Sequence, residues 1–420
     1  MSSDPDYKDA YVWVWLPGGT QPVVAGHISK AGDRLVFNYG RSYLERDGAI
    51  PLHLPELPLR QGLIEPLTGL RMAGCLRDAS PDAWGRRVIL NRRLGVRGQA
   101  ADSADLAELT YMLESSSDRA GALDFQRSPT EYVARETGQA SLPQLVEAAA
   151  RIEQGLPLPV SLGTALQHGT SLGGARPKAP IEDGRHKYIA KFSSSTDTFN
   201  VVKAEYVAMR LAMLVGLDVA PVTLARSLNK DVLLVQRFDR TWGGGGWHRH
   251  AMVSALTLLE LDEMAARYAS YEKLAEIMRH RFAEPVATLR ELFARMTFNV
   301  LCGNTDDHAR NHAAFWDGHT LRLTPAYDIC PQNRTGGEAS QGMVIHAGNR
   351  LSRVAVCIDA APAFLLSVSQ ATEIVREQIT GIQANWASVC DEAELPAIER
   401  TFLWQRQFLN PYALEHIMLA

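Results

Sequence analysis

Apolar and polar positions alternate through the first part of the chain and recur at helical spacing through the last. Tyr11–Leu16 is rich in aromatic and β-branched residues and runs into Pro17-Gly18-Gly19, a strand followed by a turn. Val23–Ser29 and Arg34–Tyr39 read as two more strands, with Ala31-Gly32-Asp33 turning between them. Ser80-Pro81-Asp82 predicts a helix start, with Ser80 as N-cap and Pro81 at the first helical position. Ala104–Leu113 predicts a second helix and Ser141–Gln154 a third, stopped by Gly155 and a proline-punctuated stretch to Pro159.

A glycine-rich turn at 169–174 then precedes a short apolar strand, Lys187–Phe192, and a long helix, Val202–Val215, closed by Gly216. Val219–Arg226 and Val232–Phe238 read as strands joined through Leu228-Asn229-Lys230. The Gly243–Gly246 run reads as a flexible connector. Beyond it Tyr271–Arg281 and Pro285–Cys302 place apolar residues at helical spacing. The pattern predicts an α+β chain, with a mixed first part and a mainly helical last part.

At 420 residues, with 46% hydrophobic and 21% charged, the chain is long enough for several units, each with its own core. A formal charge of -4 argues against a polyanion-binding surface spread over the whole molecule. The arginines at 86, 87, 92 and 93 form a local basic face, read first as a solvated helix surface. Five scattered cysteines without a C-x-x-C pair indicate neither a disulfide framework nor a zinc site, and they suit a reducing compartment. The polar, acidic N-terminus and the lack of a long uncharged apolar stretch lead to the expectation of a cytoplasmic protein without a membrane partner.

The densest polar cluster follows the apolar stretch Phe293–Cys302. After Gly303-Asn304, six of the seven residues Thr305–Asn311 are polar or charged. Asp306 and Asn311 stand five apart, the spacing of the aspartate and asparagine in a kinase catalytic loop. In that role Asp306 orients the acceptor hydroxyl and Asn311 ligates Mg²⁺. Asp328, between Tyr327 and Ile329, is the candidate second metal ligand. Mg²⁺ takes few carboxylates beside phosphate oxygens and water, and Asp328 with Asn311 suits that demand. His308 reads as a loop-orienting group, Asp307 as a solvated carboxylate, and Arg310 as either a phosphate neutraliser or a surface residue.

Upstream, the glycine turn that includes Gly173 and Gly174 could bring backbone amides close to phosphates. It is not a Walker A loop, since no Gly-Lys-Ser/Thr follows. Lys191, near the end of its strand, would meet the phosphates of ATP. Glu205, early in the next helix, would be its ion-pair partner. Each of these residues alone has an ordinary structural explanation; the ordered set does not.

With those residues in place, the chain resembles the HipA-like kinases, the toxin components of bacterial toxin–antitoxin pairs. The resemblance rests on Ser171–Lys178, Tyr188–Lys191, Ala204–Tyr206, Leu234–Arg240, Gly303–Asn311 and Ala326–Ile329, and on Ser80–Arg87 and Asp118–Ala122 nearer the N-terminus. It implies a two-lobed, protein-kinase-like α+β fold: an N-terminal subdomain over 1–130, a helix and linker over 131–160, an ATP-binding part over 161–242 and a helical lobe over 243–420. It implies a serine/threonine protein kinase that uses ATP and Mg²⁺ and phosphorylates a translation protein, an aminoacyl-tRNA synthetase such as the glutamyl enzyme, causing growth arrest.

By the same resemblance Gln236 and Phe238 sit at the adenine hinge, and Gly173, Gly174, Lys191, Glu205 and His308 serve the nucleotide. Asp306 is catalytic, and Asn311 and Asp328 hold the metal. Ser171 corresponds to an autophosphorylated serine whose phosphate would expel the loop, with Thr170 as a second acceptor. The implied partner is a HipB-like helix-turn-helix antitoxin and, through it, operator DNA; the arginine face would be one place for such a contact. Two features depart from the best-known toxin: Arg176-Pro177-Lys178 stiffens the loop after the glycines, and Asp307 replaces a glycine. The alternatives are an inactive kinase-fold co-repressor and a kinase for a small molecule.

Overall fold

A computed structural model describes residues 7–94, 106–135, 140–156, 158–159, 162, 174, 176–194, 197–334 and 336–415. The chain divides into two compact units. The first gathers residues 1–195, 226–253 and 315–319, and the second gathers 196–225, 254–314 and 320–420.

The first unit begins with an antiparallel sheet of β1 (Asp9–Val14), β2 (Val23–Ala31), β3 (Arg34–Tyr39) and β4 (Leu123–Gln126), in the order β3-β2-β1-β4. Alternation decides its faces: Ala10, Val12 and Val14 are all but inaccessible, as a half-buried strand requires. The helix expected from Pro81 starts later, at Ala83, and runs to Leu94. Ser80 does not cap it; its hydroxyl goes instead to the Glu108 carboxylate, and the first turn closes from the Arg86 N–H to the Asp82 carbonyl at 2.8 Å. The next helix spans Glu108–Glu114.

The arginine face is spent inside this unit. Arg86 pairs with Glu108 at 2.7 Å, while Arg92 and Arg93 pair with Glu114 at 2.9 and 3.1 Å, so three of the four arginines join the two helices. That corrects the solvated-face reading, and the spacing of the arginines alone could not reveal acidic partners some twenty residues away.

A second antiparallel ladder contains β5 (Lys178–Asp183) and β6 (His186–Phe192). β7 (Val222–Ser227) then turns through left-handed Leu228 and Asn229 into β8 (Lys230–Gln236), which pairs with β6. The Gly243–Gly246 run is not a flexible connector. It closes a hairpin of β9 (Arg240–Gly243) and β10 (Gly246–Arg249), with Gly244 and Gly245 at φ 59° and 81°. Two consecutive positive-φ residues are what a tight two-residue hairpin demands, and paired glycines meet that demand without strain.

The second unit is mainly helical. Its centre is the helix Pro285–Leu301, whose residues Phe293, Met296, Phe298, Val300 and Leu301 are fully enclosed. Polar contacts register it against the 25-residue helix Val368–Glu392: the Thr297 hydroxyl donates to Gln378 Oε1 at 2.8 Å, and the Gln378 amide donates to the Ala294 carbonyl at 2.7 Å. The helix Val201–Leu214 joins it through Arg210, paired with Glu392 at 3.0 Å. All five cysteines are free thiols and buried. Among the described residues no helix is long and apolar enough to cross a membrane.

Candidate functional site

The polar cluster at the end of the central helix is held by backbone geometry first. Gly303 takes φ 73°, and a Cβ there would lie 2.8 Å from the Gln407 carbonyl oxygen, so only glycine passes. The Asn304 side chain then donates back to Asn299 Oδ1 at 3.0 Å and reaches the Asp328 carbonyl at 3.5 Å. A second tie runs from the Tyr327 hydroxyl to the Arg310 carbonyl at 2.6 Å. The loop carrying Asp306 and Asn311 and the segment carrying Asp328 are therefore stitched together at two points. The Asp328 segment is itself fixed by a parallel bridge, with the Ala326 N–H donating to the Asp218 carbonyl at 2.8 Å.

Within that frame the predicted residues converge. Asn311 is buried, and its amide reaches the Asp306 carbonyl at 3.5 Å. The Asp306 carboxyl is held above the usual carboxylate range, first by partial desolvation and also by the charge of Asp328; His308 acts in the opposite sense. Two carboxylates close enough to disfavour each other's charge form a site that a cation would relieve. Asp328 adopts a left-handed backbone at φ 59°, uncommon outside glycine and asparagine and concentrated at functional sites. His308 Nδ1 is buried with no hydrogen-bond partner among the described residues, so it is a donor or acceptor left for something else.

The donor set here is oxygen only: two carboxylates and an amide. Among the described residues no three His, Cys, Asp or Glu side chains form a ready metal cage. Such a set fits Mg²⁺, which is commonly bound through one or two carboxylates with substrate phosphates completing the shell.

Asp307 overturns its solvated reading. It is buried, accepts from the Tyr271 hydroxyl, and lies 3.0 Å from His312 Nε2. Tyr271 and His312 meet edge to face with ring centroids 5.5 Å apart. Arg310 is engaged by Glu263. Gly342 also matters to the loop: its N–H donates to the Thr305 carbonyl at 3.0 Å, and a Cβ there would fall 2.7 Å from the Asp307 carbonyl oxygen. Tyr271 and Gly342 escaped sequence reasoning because each lies in another part of the chain, and His312 because it falls just past Asn311, where the motif ends.

The remaining predicted residues split between the units. Glu205 belongs to the second unit, where it is buried in the helix Val201–Leu214. Lys191 belongs to the first and sits on β6 opposite Leu233 of β8 and Lys178 of β5. Gln236 faces Tyr188 in the same ladder, so the two-residue period puts the Gln236 and Lys191 side chains on opposite faces of the sheet. A ligand on the Lys191 face would meet the backbone, not the side chain, at the end of β8. Phe238 follows that strand and packs edge to face on Phe315 at 5.8 Å.

Gly174 takes φ 102°, a backbone that favours glycine, and a Cβ there would also displace the end of the Lys178 side chain. Trp84 clamps the same stretch. Its backbone N–H donates to the Gly174 carbonyl at 3.2 Å and its indole N–H to the Lys178 carbonyl at 3.1 Å. Ser171, Gly173 and Thr170 lie outside the described residues.

Comparison with known proteins identifies the family. The HipA-like C-terminal domain family matches residues 170–386, and the HipA N-terminal domain family matches residues 14–126. A Sinorhizobium fredii protein named "Putative kinase Y4mE" is 26% identical over 371 residues, covering 82% of this chain and 83% of its own. The Shewanella oneidensis "Serine/threonine-protein kinase toxin HipA" is 27% identical over 146 residues, 31% of this chain and 34% of its own. A solved structure of the Shewanella oneidensis MR-1 toxin–antitoxin system HipA, HipB and operator DNA aligns with TM-score 0.69 at 20% identity, covering 96% of this chain and 99% of that one. That last likeness is one of fold.

Proposed function

This chain belongs to the HipA-like family, and from that membership we propose that it is an ATP-dependent serine/threonine protein kinase acting as a growth-arresting toxin. The observation that carries the reading is the stitched pair of segments in the second unit, which holds Asp306, Asn311 and Asp328 together in the order and chemistry that phosphoryl transfer needs.

In this reading Asp306 orients the acceptor hydroxyl and takes its proton as the γ-phosphoryl group passes to the oxygen. Its raised carboxyl suits that role, since a base must also hold a proton well enough to remove it. Asn311 and Asp328 would hold Mg²⁺, which supplies neutralisation of phosphate charge when bound. His308, with its unsatisfied ring nitrogen, serves the nucleotide. Lys191 meets phosphate oxygens, and the backbone at Gln236–Phe238 reads the adenine.

The acceptor proposed is a translation protein, an aminoacyl-tRNA synthetase such as the glutamyl enzyme. Autophosphorylation at Ser171 is the proposed off switch: phosphate in a loop meant for nucleotide phosphates brings like charge and bulk. The structural relative was solved with HipB and operator DNA, which supports a helix-turn-helix antitoxin as partner here and DNA as an indirect one. The arginine face is a poor contact for either, since Arg86, Arg92 and Arg93 are already paired.

The test is incubation of the full chain with γ-labelled ATP and Mg²⁺. Label is expected on protein and is lost in Asp306→Asn; absence of ATP turnover at every Mg²⁺ concentration overturns the reading. In cells, overexpression is expected to arrest growth and Asp328→Ala to relieve the arrest. Equal toxicity of the two forms would show that phosphoryl transfer is not the cause.

A further inference from the structure

Arg237 and Asp239 flank Phe238, and both reach back across more than a hundred residues to one short segment, Asp118–Gly121. Arg237 donates from Nη1 to Asp118 Oδ1 at 2.9 Å, from Nη2 to the Arg119 carbonyl at 2.7 Å and from Nε to Asp239 Oδ1 at 2.9 Å. Asp239 Oδ2 accepts the Gly121 N–H at 2.9 Å, and Arg240 Nη1 donates to the Gly121 carbonyl at 2.8 Å. Lys187 completes the set, with Nζ 2.9 Å from Asp118 Oδ2 and its carbonyl accepting the Arg237 N–H at 2.8 Å. Asp118, Arg237, Asp239 and Arg240 are each no more than 5% exposed.

We propose that Asp118–Gly121 is a positioning element of the nucleotide site, fixing the backbone at Gln236–Phe238 where the base of ATP is read. The inference rests on the reading of that backbone as the adenine contact. A strand end that leaves its ladder is free to shift by more than base recognition tolerates, because a binding constellation must be held to within about 0.5 Å. Here the residues on both sides of Phe238 are pinned by forked, charge-assisted bonds into a single backbone turn. Gly121 stands at φ 73°; its N–H donates to Asp239 and its carbonyl accepts from Arg240. A buried cluster of this kind is either made or broken, so it sets one hinge geometry. The N-terminal domain thereby becomes part of the machinery for ATP and not only a covering for it.

Arg237→Lys tests this, since lysine keeps the charge but its single nitrogen cannot reproduce the four bonds that the planar fork makes to Asp118, Asp239 and the Arg119 carbonyl. Calorimetry on the full chain would measure Kd for Mg-ATP and for Mg-tripolyphosphate, which has the phosphates without the base. The expected result is a Kd for ATP raised about tenfold, the effect of losing one well-placed contact, with tripolyphosphate binding unchanged. Arg135→Lys is the control. It alters the neighbouring pair with Asp124 in the same unit and is expected to shift the melting temperature but neither Kd.

An unchanged ATP Kd in folded Arg237→Lys overturns the inference, as does an equal loss in Arg135→Lys or an equal loss for tripolyphosphate. Should Arg237→Lys not fold, Asp239→Asn is read by the same criteria. A wild-type chain that binds no ATP brings down the kinase reading itself, and this inference with it.

Discussion

Asp306→Asn lowers kcat for phosphoryl transfer by about 10²- to 10⁴-fold, the usual loss when a positioned general base is removed. The Kd for ATP is expected to stay within about twofold, because in the proposed mechanism the side chain acts on the acceptor hydroxyl. The same substitution leaves the melting temperature unchanged or slightly higher. Asp306 is exposed, only its backbone carbonyl receives Asn311, and its carboxylate is disfavoured by desolvation and by Asp328. Neutralising it removes the desolvation cost and the repulsion from Asp328, which together outweigh the lost attraction to His308, and it removes no side-chain hydrogen bond, the pattern expected where a site trades stability for function. A melting temperature several degrees lower would mean that Asp306 is structural and that the catalytic assignment fails. Asp328→Ala separates the second role: its activity should fall comparably and recover in part as Mg²⁺ is raised, whereas that of Asp306→Asn should not recover.

Asp307→Ala has the largest expected effect on folding. It removes the buried acceptor shared by the Tyr271 hydroxyl and His312 Nε2. Breaking one side of such a buried network costs roughly 3–5 kcal/mol. Urea unfolding of the full chain should show this as a shifted midpoint with little change in slope. Activity should fall too, since Asp307 lies between Asp306 and the Asn311 turn. If stability moves by less than about 1 kcal/mol, the value of an ordinary surface pair, the network does not hold the loop.

The contrast between these neighbours shows what the sequence could convey. The nearness of Asp306, Asn311 and Asp328 was legible because the spacing sought for a kinase loop survives in one dimension, and the ties between their two segments bear out that nearness. The helix Tyr271–Arg281 was legible residue for residue because its apolar period is strong and Ser270 caps it. Asp307 was misread because a carboxylate in a polar run looks solvated until its partners are known; Tyr271 comes from another helix, and His312 stands just past the motif. Arg86, Arg92 and Arg93 failed for the same reason. The Gly243–Gly246 run was read for flexibility, although paired glycines also suit a tight hairpin. The Asp118–Gly121 motif was visible as a resemblance, but its bonds to Arg237 and Asp239 exist only in three dimensions.

The five buried thiols give the molecule a way of reporting its own opening. Cys75 lies in the first unit and Cys302, Cys330, Cys357 and Cys390 in the second. A thiol reagent should leave the intact chain nearly unlabelled, and each sulfur should react only when its surroundings loosen. Site-resolved labelling therefore times the two units separately. For Arg237→Lys only the Cys75 clock should quicken; for Asp307→Ala, only the other four.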